Sequence, residues 1–268
     1  MLEDFFKKIK NMFRQKSKEP NQQKRSWGPV AAVLIAVFVF FSSQIAVALI
    51  LHEYVTLRHW SATTANSWLT NSAIALFIET FLVESFVVLF LYVFLRRRKI
   101  PLSFIGLKGK FAFKDLLYAI VGFLGYLLIY LSVVSSLEYL IHGFNVTQKQ
   151  NLGVPSSAYG GDLWLLFFML VILPPIAEEI LFRGFIYTSL KPKMNKILAA
   201  LITSVLFAMP HLFESSNGLL WVAGCDTFIL SMVLVYVREK TDKLWASMLI
   251  HALKNFVAFA SLYLLHNG

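Results

Sequence analysis

Long apolar runs alternate with short polar or charged segments along most of the chain. Each run is close to the roughly 17–25 residues that a helix needs to cross a bilayer. The pattern predicts seven spans with approximate boundaries, namely Gly28–Leu51, Ala73–Leu95, Leu116–Leu140, Leu163–Leu190, Ile197–Leu212, Leu219–Val237 and Leu244–Leu265. Because the fifth run is short, the predicted range is six to eight spans. We therefore expect an all-α fold, a polytopic bundle of transmembrane helices.

The composition of the 268-residue chain agrees with this pattern. Hydrophobic residues make up 57% of the chain and charged residues 15%, and the mean hydropathy is +0.65. Average soluble domains contain fewer apolar and more charged residues, so these values exclude a typical soluble domain. Cys225 is the single cysteine, which excludes an internal disulfide framework and a cluster of thiolate metal ligands.

Lysine and arginine residues fall mainly on one side of the predicted spans. Of the 25 basic residues, 21 lie in the N-terminal tail and in the segments after the second, fourth and sixth runs. Only Arg58 and Lys149 lie on the other side, while Arg183 and Lys254 lie inside runs. Because cytoplasmic loops retain basic residues, this pattern predicts a cytoplasmic N-terminus and an external C-terminus.

The net charge of +10 is spread over these membrane-flanking segments, so it indicates contact with the lipid bilayer and no nucleic-acid partner. Residues 1–27 form a predicted basic cytoplasmic tail. Five of its apolar residues follow near-helical spacing with lysines opposite, namely Phe5, Phe6, Ile9, Met12 and Phe13. An interfacial amphipathic helix and a solvated basic tail both fit this pattern. A signal peptide does not, because a long apolar core and a cleavage site are missing.

The stretch PPIAEEILFR, Pro174–Arg183, places three charged side chains about halfway along the fourth run. Ionisable residues at that depth usually face a polar cavity or each other. Glu179 and Arg183 are four residues apart, within reach of an ion pair, while Glu178 is rotated by about 100° toward another neighbour. The two prolines free backbone carbonyls, which a membrane tolerates only beside protein or water. We therefore expect a polar intramembrane cavity next to Glu178.

Two further polar pairs occur in later runs. The stretch FAMPH places Phe207 and His211 four residues apart, and HALKN places His251 and Asn255 on one face of the last helix. Together with Glu178 they can converge on one pocket, as sites in helix-bundle cores do.

Each of these elements also has a structural interpretation. A Glu–Arg pair can be a buried ion pair, a histidine can be an interhelical hydrogen-bond partner, and Asn255 beside Lys254 can lie at a lipid-facing turn. For Glu79 and Glu84 in the second run we expect interface or cavity lining.

The three motifs together resemble those of the CPBP family, also labelled Abi, which includes CAAX-type prenyl-protein proteases and bacteriocin-processing or bacteriocin-immunity proteins. EEILFR matches a Glu-Glu-x-x-x-Arg motif, FAMPH a Phe-x-x-x-His motif and HALKN a His-x-x-x-Asn motif, in the family's order. The resemblance covers about Leu163 to Phe259. It divides the chain into N-terminal transmembrane helices over 28–160 and a CPBP-like catalytic helix bundle over 161–268. One departure is Asp242, at a turn where glycine is common in the family.

The resemblance implies an intramembrane endopeptidase that cleaves a membrane-associated peptide or protein. Peptide hydrolysis needs an activated water, stabilisation of the oxyanion and a proton for the leaving amine. By resemblance, Glu178 is the general base and His211 holds and polarises the water. His251 and Asn255 would supply oxyanion donors.

The implied role of Glu179 and Arg183 is to orient the motif helix. No cofactor is expected, although Glu178 with His211 and His251 would also suit a zinc site that has an open position for water. A His-Glu-x-x-His helix is absent from the sequence.

A non-enzymatic function is the alternative: a bacteriocin-immunity or membrane-interaction protein that retains the CPBP fold. For either function we expect a multi-pass protein of a bacterial plasma membrane. An intact set of motif residues favours retained chemistry.

Overall fold

The computed structural model describes residues 27–142, 144–146, 148, 154–155, 158–213 and 218–265. Seven helices in this part of the chain are long and apolar enough to cross a membrane, which confirms the predicted number. With one short helix, α2, the order is α1 Pro29–Leu57, α2 Ala62–Asn71, α3 Ala73–Arg97, α4 Phe113–Leu140, α5 Gly161–Leu190, α6 Lys196–Phe213, α7 Trp221–Thr241 and α8 Trp245–Tyr263. The described residues contain no strand, so the predicted all-α class is confirmed.

Two predicted features lie outside the described residues. They are the possible amphipathic helix of the N-terminal tail, of which only residue 27 is described, and the external Lys149. The sequence pattern missed α2 and a single 3₁₀ turn at Leu102–Ile105, because both are short and lie between spans.

The outer surface of the bundle is strongly apolar. Leu34 on α1 is 63% exposed, and Val121 and Leu128 on α4 are each 69% exposed. Many other large apolar side chains of α1, α3 and α4 are exposed in the same way. Soluble monomers rarely expose apolar patches of this extent. Lipid covers such a surface in a multi-pass membrane protein.

Helix α5 lies at the centre of the bundle. It packs against α3 and α8, and α1 contacts its C-terminal half, while α7 packs against α4, α6 and α8. Helix α5 is also irregular, because π-helical turns at Phe168–Ile172 and Ile180–Ile186 flank an α-helical segment, Leu173–Glu179. Turns of this kind are frequent at functional sites. Both motif glutamates lie at the end of the segment between them.

Polar contacts in the turn between α7 and α8 fix the start of α8. Asp242, in the turn between these helices, accepts hydrogen bonds from Lys108 and Arg238. Its φ of 54° lies in the left-handed region, which glycine adopts most readily and aspartate tolerates better than most residues. This explains why aspartate is accepted where the resembling family often has glycine. Burial raises the pKa of Asp242, but the two cationic donors outweigh burial and hold the pKa below its usual value.

A second polar network fixes the rotation of α8 deeper in the bundle. Tyr126 of α4 donates a hydrogen bond to Asp226 of α7, and Lys254 Nζ of α8 lies 3.4 Å from the same carboxylate. Lys254 is therefore paired inside the protein. Because Asn255 is the next residue, this network also sets the direction in which Asn255 points.

Candidate active site

A buried ion pair forms the centre of the site. Arg183 Nη1 lies 2.8 Å from Glu179 Oε1, one turn away on α5, and both side chains are completely buried. His251 Nδ1 of α8 lies 3.3 Å from the same oxygen. A carboxylate that is paired with arginine only accepts hydrogen bonds, so we assign the proton of His251 to Nδ1. Glu179 thereby fixes both the tautomer and the orientation of the imidazole.

The neighbouring Glu178 has a different environment. Its side chain is 27% exposed, and its Oε2 atom lies 3.8 Å from Nε2 of His251. This distance is too long for a direct hydrogen bond, but both atoms are within reach of one shared water. His251 thus contacts Glu179 through one ring nitrogen and presents the other to Glu178.

Phe207 packs among three polar groups of the site. The guanidinium carbon of Arg183 lies 4.2 Å from the centre of its ring, which is a cation–π contact. The rings of His211 and His251 lie edge-on to it at centroid distances of 5.7 and 5.6 Å. Phe207 thereby contacts Arg183 and both histidines through one aromatic ring.

His211 lies just beyond the α-helical part of α6. That part ends at Ala208, and the chain continues as a 3₁₀ turn at Pro210–Phe213, where proline cannot donate an α-helical hydrogen bond. This turn brings His211 within electrostatic reach of Glu178. His211 therefore lies at the end of the short fifth span.

Asn255 contacts the backbone of α5 at the proline pair. Its Nδ2 atom donates a hydrogen bond of 2.9 Å to the carbonyl oxygen of Leu170. Residues four and five positions beyond Leu170 are Pro174 and Pro175, and neither has an N–H to donate. Asn255 supplies the donor that the prolines remove. The last motif, on α8, is therefore bonded directly to the break in α5. Asn255 therefore does not lie at a lipid-facing turn, the structural alternative for this residue.

The structure brings all six predicted site residues to one region where α5, α6 and α8 meet. Four of them form the contacts just described between Glu178, His251, Glu179 and Arg183. His211 joins them through Phe207, and Asn255 joins them through the α5 backbone. The role of Phe207 was not predicted, although its motif was recognised. The sequence did contain a signal for the role of Asn255. Pro174 and Pro175 leave the carbonyl of Leu170 without a backbone donor, so a side chain has to supply one.

Several buried polar atoms of this region have hydrogen-bonding capacity left. Glu179 Oε2 and the Nε and Nη2 atoms of Arg183 have no partner among the described residues. Buried polar atoms are almost always satisfied in proteins, commonly by internal water. The chemistry of these groups therefore suits a hydrated site inside an otherwise apolar bundle.

The arrangement does not suit a three-ligand zinc site. A catalytic zinc ion needs about three protein ligands at roughly 2.0–2.2 Å when these are His or carboxylate. Among the described residues, no three His, Cys, Asp or Glu side chains converge closely enough to hold an ion. We therefore derive no catalytic step through a metal.

Comparison with known proteins bears on the same part of the chain. Residues 160–257 match the family described as Rce1-like, type II CAAX prenyl endopeptidase. This confirms the family resemblance that the three motifs indicated, and the Rce1-like segment contains all six predicted site residues.

Two curated relatives are similar to the chain. UPF0177 protein YxdF of Lactococcus lactis subsp. lactis (strain IL1403) is 34% identical over 98 residues, which are 37% of this chain and 50% of YxdF. YdiL of Bacillus subtilis (strain 168), a candidate membrane peptidase, is 28% identical over 141 residues, which are 53% of this chain and 54% of YdiL. The chain thus spans about half the length of the curated relatives it matches. No solved structure is significantly similar to it.

Proposed function

We propose that the protein is an intramembrane endopeptidase that hydrolyses a peptide bond of a membrane-associated peptide or protein with a water activated by Glu178. The observation that carries the proposal is the placement of His251, whose Nδ1–H is held by Glu179 while Nε2 lies 3.8 Å from Glu178. The Rce1-like family of this segment and the similarity to YdiL support the same reaction class.

The first step is the attack of water on the substrate carbonyl. A water between Glu178 and His251 Nε2 donates one hydrogen bond to each of them. Glu178 removes a proton as the water oxygen bonds to the carbonyl carbon, and the carbonyl oxygen becomes the oxyanion. In the second step the C–N bond breaks, and Glu178 returns the proton to the leaving amine.

We propose a different role for His251 from the one that the resemblance implied. A neutral His251 with its proton on Nδ1 accepts a hydrogen bond at Nε2, so we assign it to holding the water rather than to the oxyanion. The donors for the oxyanion are then His211 and the second N–H of Asn255, whose first N–H is bonded to Leu170. Glu179 and Arg183 are positioning residues, because they act through His251 and Phe207.

We further propose a bacterial plasma membrane location with a cytoplasmic N-terminus. The basic residues of the sequence support this orientation, and the two similar proteins come from Lactococcus lactis and Bacillus subtilis. A peptide precursor or an incoming peptide toxin is the expected kind of substrate. Protection against such a toxin by cleavage would unite the peptidase and immunity interpretations.

The test uses the full-length protein in lipid nanodiscs with a pool of membrane-inserting peptides, whose products are identified by mass spectrometry. Glu178→Gln keeps the size of the side chain but removes the base, so we expect cleavage to fall by about 10²–10⁴-fold. Glu79→Gln is the matched control, because Glu79 is a half-buried carboxylate of α3 that has no part in this site, and it should cleave normally. A chelator should leave the rate unchanged.

Three results would count against this proposal. Normal cleavage by Glu178→Gln would remove Glu178 from the reaction. Loss of cleavage on chelation, with recovery on adding zinc, would replace the metal-free mechanism. Survival of cells against a bacteriocin that does not depend on Glu178 would favour the non-enzymatic alternative.

A further inference from the structure

A cavity of about 380 Å³ lies directly beside the site, between α3, the 3₁₀ turn at Leu102–Ile105 and α5. Its walls are almost entirely aliphatic. The α5 side includes Ala177, which immediately precedes the proposed base Glu178. Leu89 of α3 and Ile176 of α5, which are 61% and 42% exposed, lie at its edge. The cavity therefore opens on the surface of the bundle next to the catalytic carboxylate.

The long dimension of this cavity follows α3. Its lining residues on that helix extend from Glu84, near the middle of the span, to Leu95, next to the basic end of the helix. From Glu84 to Leu95 the helix rises by roughly 16 Å, a length that accommodates about four or five residues of extended peptide. The cavity thus leads from the cytoplasmic side, as the topology proposal assigns it, to the level of the site.

Glu84 is the only charged residue that lines this cavity in the described part of the chain. Its carboxylate makes no hydrogen bond or ion pair with another described residue, although it lies at mid-span. The proposed mechanism does not use it. A carboxylate at this depth without a partner is unfavourable, and such residues usually mark a site that binds an ion or a substrate group.

A second carboxyl group lies near this end of the cavity. Glu84 and Glu178 lie within electrostatic reach of each other across the interface of α3 and α5. Arg183 is already bonded to Glu179, and Lys254 is already paired with Asp226. Among the described residues no lysine or arginine is paired with Glu84, so a cation from outside the chain would complement it.

We propose that this cavity is a specificity pocket for a basic residue of the substrate peptide, with Glu84 as the specificity-determining group. The aliphatic walls fit the methylene stem of a lysine or arginine side chain, and Glu84 accepts hydrogen bonds from its cationic end. The inference rests on the proposed peptidase function, because it identifies the pocket as part of the substrate site. It narrows the substrate class to peptides with a basic residue close to the cleaved bond.

The experiment measures binding to the full-length protein in phosphatidylcholine nanodiscs, which carry no net lipid charge. The probes are fluorescent Leu/Ala peptides with one lysine at successive positions, each compared with the same peptide carrying neutral acetyl-lysine. At one or two positions, we expect lysine to bind roughly 10- to 100-fold more tightly, the range of a charge-assisted hydrogen bond. Empty nanodiscs measure partition into lipid.

Glu84→Gln should remove this preference, and Glu84→Lys should reverse it toward a glutamate peptide. Glu79→Gln, five residues away on the same helix and outside the cavity lining, should keep the wild-type preference. Thermal denaturation shows whether each variant is folded, and the nearly isosteric Glu84→Gln decides the question if Glu84→Lys does not fold.

Equal affinity for lysine and acetyl-lysine peptides at every position would overturn the inference, as would a preference that survives Glu84→Gln. Tighter binding of wholly apolar peptides would instead indicate a pocket for a lipid chain.

Binding and cleavage separate this inference from the proposed function. A lysine preference that depends on Glu84, without cleavage of any bound peptide, would retain the pocket and remove the peptidase. Cleavage that depends on Glu178, without a lysine preference in binding, would retain the peptidase and remove the basic specificity.

Discussion

Adjacent residues of an α-helix point about 100° apart, and this rotation gives two neighbouring glutamates different environments. Glu179 points into the bundle, where Arg183 and His251 share its Oε1 atom and its side chain has no exposure. Glu178 points away from this ion pair and keeps 27% of its side-chain surface exposed. One carboxylate is therefore suited to hold a charge network together, and the other to meet water and substrate.

This difference predicts that the two isosteric substitutions affect different properties. Glu179→Gln leaves Arg183 buried without its counterion, so we expect it to destabilise the protein by about 3–5 kcal/mol. Glu178→Gln breaks no such pair, so its stability should be close to that of the wild type, although it loses cleavage. The measurement is thermal and detergent-induced unfolding of the purified protein. If Glu178→Gln lost as much stability as Glu179→Gln, Glu178 would also be a structural residue.

Helix α5 is broken where the sequence places two prolines, and a side chain of another helix repairs the break. The carbonyl of Leu170 cannot be satisfied by either Pro174 or Pro175, and Asn255 of α8 donates to it instead. The hydrogen bond also fixes the register of α8 against α5. His251 lies one turn before Asn255, so the same contact holds the histidine at Glu179.

A double-mutant cycle tests this account of the break. Asn255→Ala leaves a buried carbonyl unsatisfied, and we expect it to cost about 1–3 kcal/mol in stability. Pro174→Ala restores a backbone N–H at the position that an α-helical bond to Leu170 requires. Asn255→Ala should therefore cost much less in the Pro174→Ala background, giving a clear coupling energy. Purely additive effects in the same unfolding assay would show that Asn255 acts elsewhere.

The whole molecule is organised by the bilayer. The seven spans of the described residues present apolar side chains outward, while most charged side chains lie inside the bundle or at the ends of the helices. An odd number of spans places the ends of the bundle on opposite sides of the membrane. The basic segments then all lie on the side of the N-terminus, which agrees with cytoplasmic retention of positive charge.

This orientation predicts which loops a membrane-impermeant thiol reagent reaches. In a Cys225→Ser background, cysteine at Ser61, between α1 and α2, should react in intact cells. Cysteine at Lys193, between α5 and α6, should react only after permeabilisation. The reverse result would show that the topology is inverted. The cavity beside Glu84 would then open toward the outer side.

The sequence by itself determined the class of the molecule and indicated the residues of the candidate site. The length and hydropathy of a span are local properties, so seven helices were predicted within several residues of their ends. Charges stand out in an apolar run for the same reason, and the three motifs indicated the family. The exact boundaries, the short α2, the 3₁₀ turn at Leu102–Ile105 and the π-helical turns of α5 were missed, because they depend on packing and on single backbone bonds.

The tertiary structure decided which of these residues contact one another. Periodicity gives the face of a helix on which a side chain lies, but it does not give the rotation of that helix against its neighbours. The contact of His251 with Glu179, the bond from Asn255 to Leu170 and the approach of Glu84 to Glu178 all cross helix interfaces. They follow from the packing of α3 and α8 on α5, which depends on side chains distributed along the whole chain.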